Sequence, residues 1–510
     1  VRTILLTALL ATQVHAAVIR GIVTEALTGA PLARTLVQIQ PIGGTEGSSR
    51  TVRAGERGSF EFGGLAAGAW IVKASRPGYL PLENGQRRWN SAGFPVMVAA
   101  DDAPFITFRL QRTAAINGTV RDENEIGIRD FDVVAYSNAQ PPRIAARGKA
   151  DDRGVYRISG LEPGTYYVRS AAHIEEELNF IPTFAPATVQ IENARPVEVF
   201  ADEETRNFDL RPQQGKLFRL SGEVVGLDPD PTRYSDVIVT LASEMVREIR
   251  HGSTFQFTGL APGDYELYVE APENPPRAGI AGGYVRFSLA KDIDKYALSA
   301  RDTRETQFTF APDRGRSKPP GQLYARRKDL AGVGPVKAVE LPFNAALFAP
   351  GGWDLLFLPN PGNYVSGFSG SSYDTPVSRK AVRITERYRP EGWNSVILQG
   401  FSSVRYQLNG GGATVTGTVK QNGEPVLGAP VFLEAWDALN RTRLVELIPS
   451  RADLHGLYRF EGLPPGTYRI FSSFEYLNPD SAAFDLALAQ TIQLDAHGTV
   501  THDLDLYGAR

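Results

Sequence analysis

Apolar and polar residues alternate along most of the chain in short runs that Gly and Pro interrupt, as in Val18-Ile19-Arg20-Gly21-Ile22-Val23 and Phe60-Glu61-Phe62. A period of two predicts β-strands with one face buried and one wet. No stretch sustains helical spacing of apolar positions over three turns, so the pattern predicts an all-β protein. One skeleton recurs five times: an aromatic, then Leu or Phe five residues on, Gly three further, and Trp or Tyr two beyond that. The copies are Phe60/Leu65/Gly68/Trp70, Tyr156/Leu161/Gly164/Tyr166, Phe255/Leu260/Gly263/Tyr265, Phe343/Phe348/Gly351/Trp353 and Tyr458/Leu463/Gly466/Tyr468. Four of them carry Pro before the Gly (Pro163, Pro262, Pro350, Pro465). The spacing predicts a hairpin: strand, tight turn, strand. Self-similarity at fixed spacing means an array of one module.

Four of the modules have an opening strand with an internal Gly, such as Ile116-Asn117-Gly118-Thr119-Val120 and Val415-Thr416-Gly417-Thr418-Val419. Closing strands end in an apolar–polar–apolar triplet: Phe108-Arg109-Leu110, Phe208-Asp209-Leu210, Phe308-Thr309-Phe310, Tyr406-Gln407-Leu408 and Leu504-Asp505-Leu506. These predict five Ig-like or transthyretin-like β-sandwich domains in tandem, over residues 17–113, 114–214, 215–314, 315–411 and 412–510. The fourth is divergent: it lacks a Gly-bearing opening strand, begins in the Pro-rich stretch Asp313 to Pro320, which reads as a linker, and has Leu347 where the others have Gly.

Residues 1–16 stand apart. Arg2, the apolar run Ile4 to Leu10 and the small residues up to Ala16 have the form of a secretory signal cleaved near Ala16. The run is too short to span a bilayer, and no later window reaches the length of a membrane helix. The chain has no Cys, which excludes disulfides, thiolate metal sites and a lipidated cysteine. A net charge of −3, from 54 basic and 57 acidic residues, gives no basic face for nucleic acid. The reading is an exported protein of the periplasm, cell surface or medium, monomeric and elongated.

The combination D-x-x-G-x-[FY]-x4-L-x-P-G-x-Y, preceded by a G-x-V strand, resembles the carboxypeptidase regulatory-like domain. Asp151/Gly154/Tyr156/Leu161/Pro163/Gly164/Tyr166 match most fully, and Asp453/Gly456/Tyr458/Leu463/Pro465/Gly466/Tyr468 nearly so. The first unit departs in Ala67 and Trp70, and the third has His251-Gly252-Ser253 in place of the Asp-Gly turn. The resemblance implies a transthyretin-like (prealbumin-like) sandwich related to the carbohydrate-binding-like fold, in the manner of multi-repeat exported acidobacterial proteins. It implies little about function, since such domains accompany proteins of many kinds.

Chemistry is sparse. His173-Ile174-Glu175-Glu176 has the H-x-x-E spacing of a zinc peptidase but sits in an acidic loop, where a solvated loop is the better account. Asp151 and Asp152 could hold calcium, yet a turn needs Asp and Gly for its own geometry. Lys420 follows an opening strand, but no equivalent Lys recurs to suggest an intramolecular crosslink. There is no nucleophile elbow and no phosphate-cradling Gly loop. Neither a catalytic residue nor a cofactor or metal is expected. Loop aromatics remain: Trp89 with Arg87, Arg88 and Asn90, and Trp393 with Asn394, as a sugar platform or as loop packing. The function expected is a non-enzymatic binding or scaffold module at the cell envelope, its partner a protein or, alternatively, a polysaccharide.

Overall fold

The computed structural model describes residues 17–508 except 139–141, 176–177, 231, 245, 275–278, 304, 312–319, 361, 374–381, 384–391, 400, 440–441 and 444–446. The signal segment 1–16, Glu176 and most of the Asp313–Pro320 linker therefore lie outside the described residues. The protein is an all-β array of two-sheet sandwiches. In the first, Ala17–Glu25 runs antiparallel to Ser59–Leu65 and parallel to Phe105–Leu110. The facing sheet is built from Arg50–Arg53, Leu36–Pro41, Gly68–Ser75 and Leu82–Glu83, with Val96–Val98 alongside. Alternation along Ala17–Glu25 turns Ile19 and Val23 inward against Phe62, Trp70, Val72 and Phe108, all buried. An aromatic buried this fully contributes about 2–3 kcal/mol by leaving water.

The same plan returns further on. Its opening strands are Ala114–Thr119, Phe218–Val225 and Ala413–Gln421, paired antiparallel with Val155–Leu161, Thr254–Leu260 and Leu457–Leu463. Their parallel partners are Glu204–Thr205, Ile293–Ser299 and Thr499–Thr501. The opening-strand glycine has a steric cause. A Cβ on Gly118 would lie 2.2 Å from the Phe208 carbonyl oxygen and 3.0 Å from the Tyr156 hydroxyl. The gap lets the wholly buried Tyr156 reach across and donate to that same carbonyl.

The repeated skeleton is not a hairpin. In every copy its two strands lie in opposite sheets: Ser59–Leu65 pairs with Ala17–Glu25, whereas Gly68–Ser75 pairs with Leu36–Pro41. The connection is an arch that carries the chain across the core. The second aromatic holds it by donating to the carbonyl four residues back: Trp70 Nε1 to Ala66 (3.2 Å), Tyr166 Oη to Glu162 (2.9 Å), Tyr265 Oη to Ala261 (2.8 Å), Trp353 Nε1 to Ala349 (2.9 Å) and Tyr468 Oη to Pro464 (2.9 Å). A bulge precedes it, with Gly160 at φ 83° and the register slipping between Ser159 and Leu161. Strand, bulge, turn and polar-tipped aromatic explain why the spacing is kept.

The boundary between the third and fourth units also differs from the sequence reading. Phe308-Thr309-Phe310, expected to close the third sandwich, lies in Thr306–Ala311, which runs parallel to Phe401–Gly410 and antiparallel to Ala345–Ala346. Phe308 and Phe310 are buried in the fourth core with Phe357 and Tyr406. The third unit is closed earlier, by Ile293–Ser299. The triplet misleads because an opening and a closing strand lie side by side in the same sheet and alternate alike. The fourth unit thus has an opening strand after all, without Gly.

Successive units meet through short joints. Between the first and second, Arg112 donates its amide to Asp202 (2.7 Å) and its carbonyl accepts the Asp202 amide (3.0 Å). Val246 of the third unit packs on Val134, Tyr136 and Phe184 of the second. Arg247 forks onto Asp329 of the fourth at 2.9 and 2.7 Å, while His497 of the fifth donates to Gly411 at 2.6 Å. The array is not elongated: the fifth unit also packs on the first, closing the series into a ring. A single six-residue helix occurs among the described residues, Ser481–Leu486, capped by Asp480 and lying on the outer face of the fifth unit.

Candidate functional site

The loop from Glu83 to Phe94, singled out in the sequence for Trp89, forms the first unit's side of the closing seam. It is braced from within: the Gln86 side chain accepts from the Glu83 amide (2.9 Å) and donates to the Arg88 carbonyl (3.0 Å), and Ser91 Oγ accepts the Arg88 amide (3.1 Å). Asn90 takes the left-handed conformation, φ 62°, which Asn tolerates and bulkier residues resist. This turn aims the Asn90 carbonyl at the fifth unit, where it accepts the Leu477 amide at 2.6 Å; two residues on, Ala92 donates to the Phe474 carbonyl at 2.8 Å.

Side chains complete the seam. Phe94 stacks on Phe474 at 4.3 Å between centroids, with the Arg87 guanidinium 5.4 Å from the Phe94 ring. Arg88 pairs with Glu475. Beneath them Arg451 donates Nη2 to Glu83 Oε2 (2.9 Å) and Nη1 to the carbonyls of Gly93 (3.2 Å) and Gly428 (3.3 Å). Glu83 Oε2 also takes the Gly93 amide at 2.9 Å. Burial pulls Arg451 below its ordinary value and the Glu83 charge pushes back. Two opposite charges removed from water together satisfy each other, whereas either alone is costly. Beside the pair lies an open cleft of about 370 Å³ lined by both units.

Of the residues proposed from sequence, Arg87, Arg88 and Asn90 are brought together here, with Trp89 half-buried among them. Trp393 is not: it lies in the fourth unit under the Arg326 guanidinium, 4.2 Å from its ring, and Arg326 is held by Asp354 at 3.1 Å. The sequence reading missed Arg451, Phe474, Glu475 and Leu477. A signal was present in Phe471-Ser472-Ser473-Phe474-Glu475-Tyr476-Leu477, where alternation fails and aromatic and polar residues crowd as they do in Gln86 to Phe94.

The remaining candidates have structural partners. His173 Nε2 pairs with Glu175 at 3.1 Å and its ring packs on Phe131 at 4.4 Å. Asp151 Oδ1 accepts the amides of Val155 (2.8 Å) and Arg153 (3.0 Å), and these backbone bonds, the Val155 one foremost, lower its carboxyl. Lys420 forms a half-exposed ion pair with Asp503 at 2.6 Å. No group of three or more His, Asp or Glu able to hold a metal occurs among the described residues, and no helix there is long and apolar enough to cross a membrane.

Residues 18–111, the first sandwich, match the family model of the carboxypeptidase regulatory-like domain. Serine-aspartate repeat-containing protein E of Staphylococcus aureus (strain MSSA476) is 24% identical over 276 residues, covering 48% of this chain and 23% of that protein. The bone sialoprotein-binding protein of Staphylococcus aureus is 24% identical over 283 residues, covering 49% and 24%. The chain thus spans about a quarter of the length of these relatives. Among solved structures, the minor pilin GBS52 of Streptococcus agalactiae is 14% identical and covers 39% of this chain and 97% of its own, with a TM-score of 0.26. The shaft pilin SpaA of Lactobacillus rhamnosus GG is 11% identical and covers 39% and 98%, with a TM-score of 0.24.

Proposed function

We propose that this chain is an exported, non-catalytic β-sandwich scaffold at the cell envelope that acts by binding another protein. The observation that carries the reading is the match of about half the chain to staphylococcal proteins, one of them named for binding a protein partner. The chemistry of the chain agrees with it. Largely buried ion pairs sit at two of the joints, Arg247 with Asp329 and Arg451 with Glu83, so part of the polar capacity goes into holding sandwiches in place. A scaffold that presents surfaces at fixed separation needs such joints more than it needs a cleft with titrating groups.

Cell fractionation followed by crosslinking mass spectrometry on the native full chain tests this. The expected result is a chain in the envelope fraction whose mature form starts near Ala17, crosslinked in stoichiometric amount to one envelope protein. A chain recovered in the cytosol, or one crosslinked to no protein while enriched on polysaccharide, overturns it.

A further inference from the structure

The cleft at the closing seam is a feature the scaffold reading leaves unused. It exists only while the first and fifth units touch, because Ile42 and Ile71 come from one and Tyr476 and Ser450 from the other. Its volume of about 370 Å³ falls in the range of small-molecule sites. The lining restricts the occupant. At its base Glu83 and Arg451 neutralise each other, so an ion placed beside them would upset a balanced pair with no counter-charge of its own. A purely apolar molecule would strip water from the same pair and return no hydrogen bond. What remains is an uncharged molecule with apolar faces and hydroxyls at its edges. Ile42, Ile71 and the half-buried Tyr476 offer the faces; Gln40, Ser450 and the pair offer the polar partners. Both hydrogen bonds recorded for the Glu83 carboxylate run to Oε2, and Oε1 takes none among the described residues.

We propose that the seam cleft is a binding site for an uncharged sugar of one or two rings, stacked by its C–H face on Tyr476 and hydrogen-bonded to Glu83 Oε1 and the Gln40 and Ser450 side chains. This goes beyond the scaffold reading and can fail without it. It also places sugar contact in the cleft instead of on the Trp89 ring. Because the site is assembled from both units, occupancy and ring closure reinforce each other.

The test is isothermal titration calorimetry of the full chain with maltose, cellobiose and N,N′-diacetylchitobiose. At least one should bind saturably, with a dissociation constant on the order of 1 mM. Ser450→Trp, which puts bulk into the cleft from its lining, should weaken that sugar at least about tenfold. Gln40→Leu removes a hydrogen-bonding group without adding bulk and should also weaken it, with scattering showing the ring still closed. Failure of all three sugars to bind, or wild-type affinity in Ser450→Trp and Gln40→Leu, overturns the proposal.

Discussion

Arg451 and Glu83, 368 positions apart in sequence, meet at 2.9 Å in a largely buried ion pair that joins the last sandwich to the first. Removing the cation leaves a largely buried carboxylate without its counter-charge, so Arg451→Ala should cost about 3 kcal/mol at the seam. The expected outcome is a ring that opens: small-angle scattering should show a larger radius of gyration, while each sandwich keeps its β-sheet circular dichroism. Exchanging the charges in one chain, Glu83→Arg with Arg451→Glu, should recover part of the compactness.

The aromatic clamp of the arch should be local. Tyr166→Phe deletes the 2.9 Å bond to the Glu162 carbonyl and little else, and the predicted cost is about 1 kcal/mol. Tyr468→Phe at the equivalent place in the fifth unit should cost about the same. Thermal melting of the two variants and their combination should show additive losses, since the sites share no partner.

Opening-strand glycines should not tolerate a methyl group. In Gly118→Ala the new Cβ would press on the Phe208 carbonyl, its oxygen at 2.2 Å and its carbon at 2.5 Å, with the Tyr156 hydroxyl at 3.0 Å. We expect a loss of about 3 kcal/mol, at the upper end for overpacking. Gly29→Ala is a contrast in cause: nothing lies within 4 Å of its Cβ, and only its φ of 70° opposes the change, so its cost should be nearer 1 kcal/mol. Denaturant titration of both variants checks the order.

Stability should depend on pH through the joint of the third and fourth units. Burial raises the Glu266 carboxyl above its ordinary 4.5, with bonds from the Tyr284 hydroxyl (2.9 Å) and Leu330 amide (3.2 Å) pulling the other way, the Asp329 charge raising it and Arg286 lowering it. The folded state therefore holds this proton more tightly than the unfolded one. Its contribution is full below pH 4.5 and is lost as pH rises through the raised folded value. Glu266→Gln removes that dependence, so the stability of the variant relative to wild type should increase as pH climbs from about 4.5 towards neutrality. Melting temperatures across that interval check the sign.

Much of this architecture is legible in the residues. Alternation gives the strands, and the skeleton from Phe60 to Trp70 gives the module, because a buried aromatic, a bulge glycine and a second aromatic with a polar tip must keep their distances to make the arch. What alternation cannot give is the partner of a strand. Phe60-Glu61-Phe62 reads the same whether Ala69 to Val72 pairs with it or crosses the core, so the arch resembled a hairpin. Phe308-Thr309-Phe310 was ambiguous for the same reason, opening and closing strands being neighbours in one sheet. In the candidate site, Arg87 to Asn90 stood out by composition. Their purpose depended on Arg451, Phe474 and Glu475, and a contact across more than 350 positions leaves no local spacing to read.

Ring closure has a mechanical consequence. A pull applied between the outermost sandwiches does not load their cores first, because those two bodies already grip each other. Tension falls on the Phe94–Phe474 stack and the Arg451–Glu83 pair, and when they slip the tether lengthens while every sheet stays intact. The molecule can therefore yield by a fixed stroke under strain and recover it on release, as a shock absorber does.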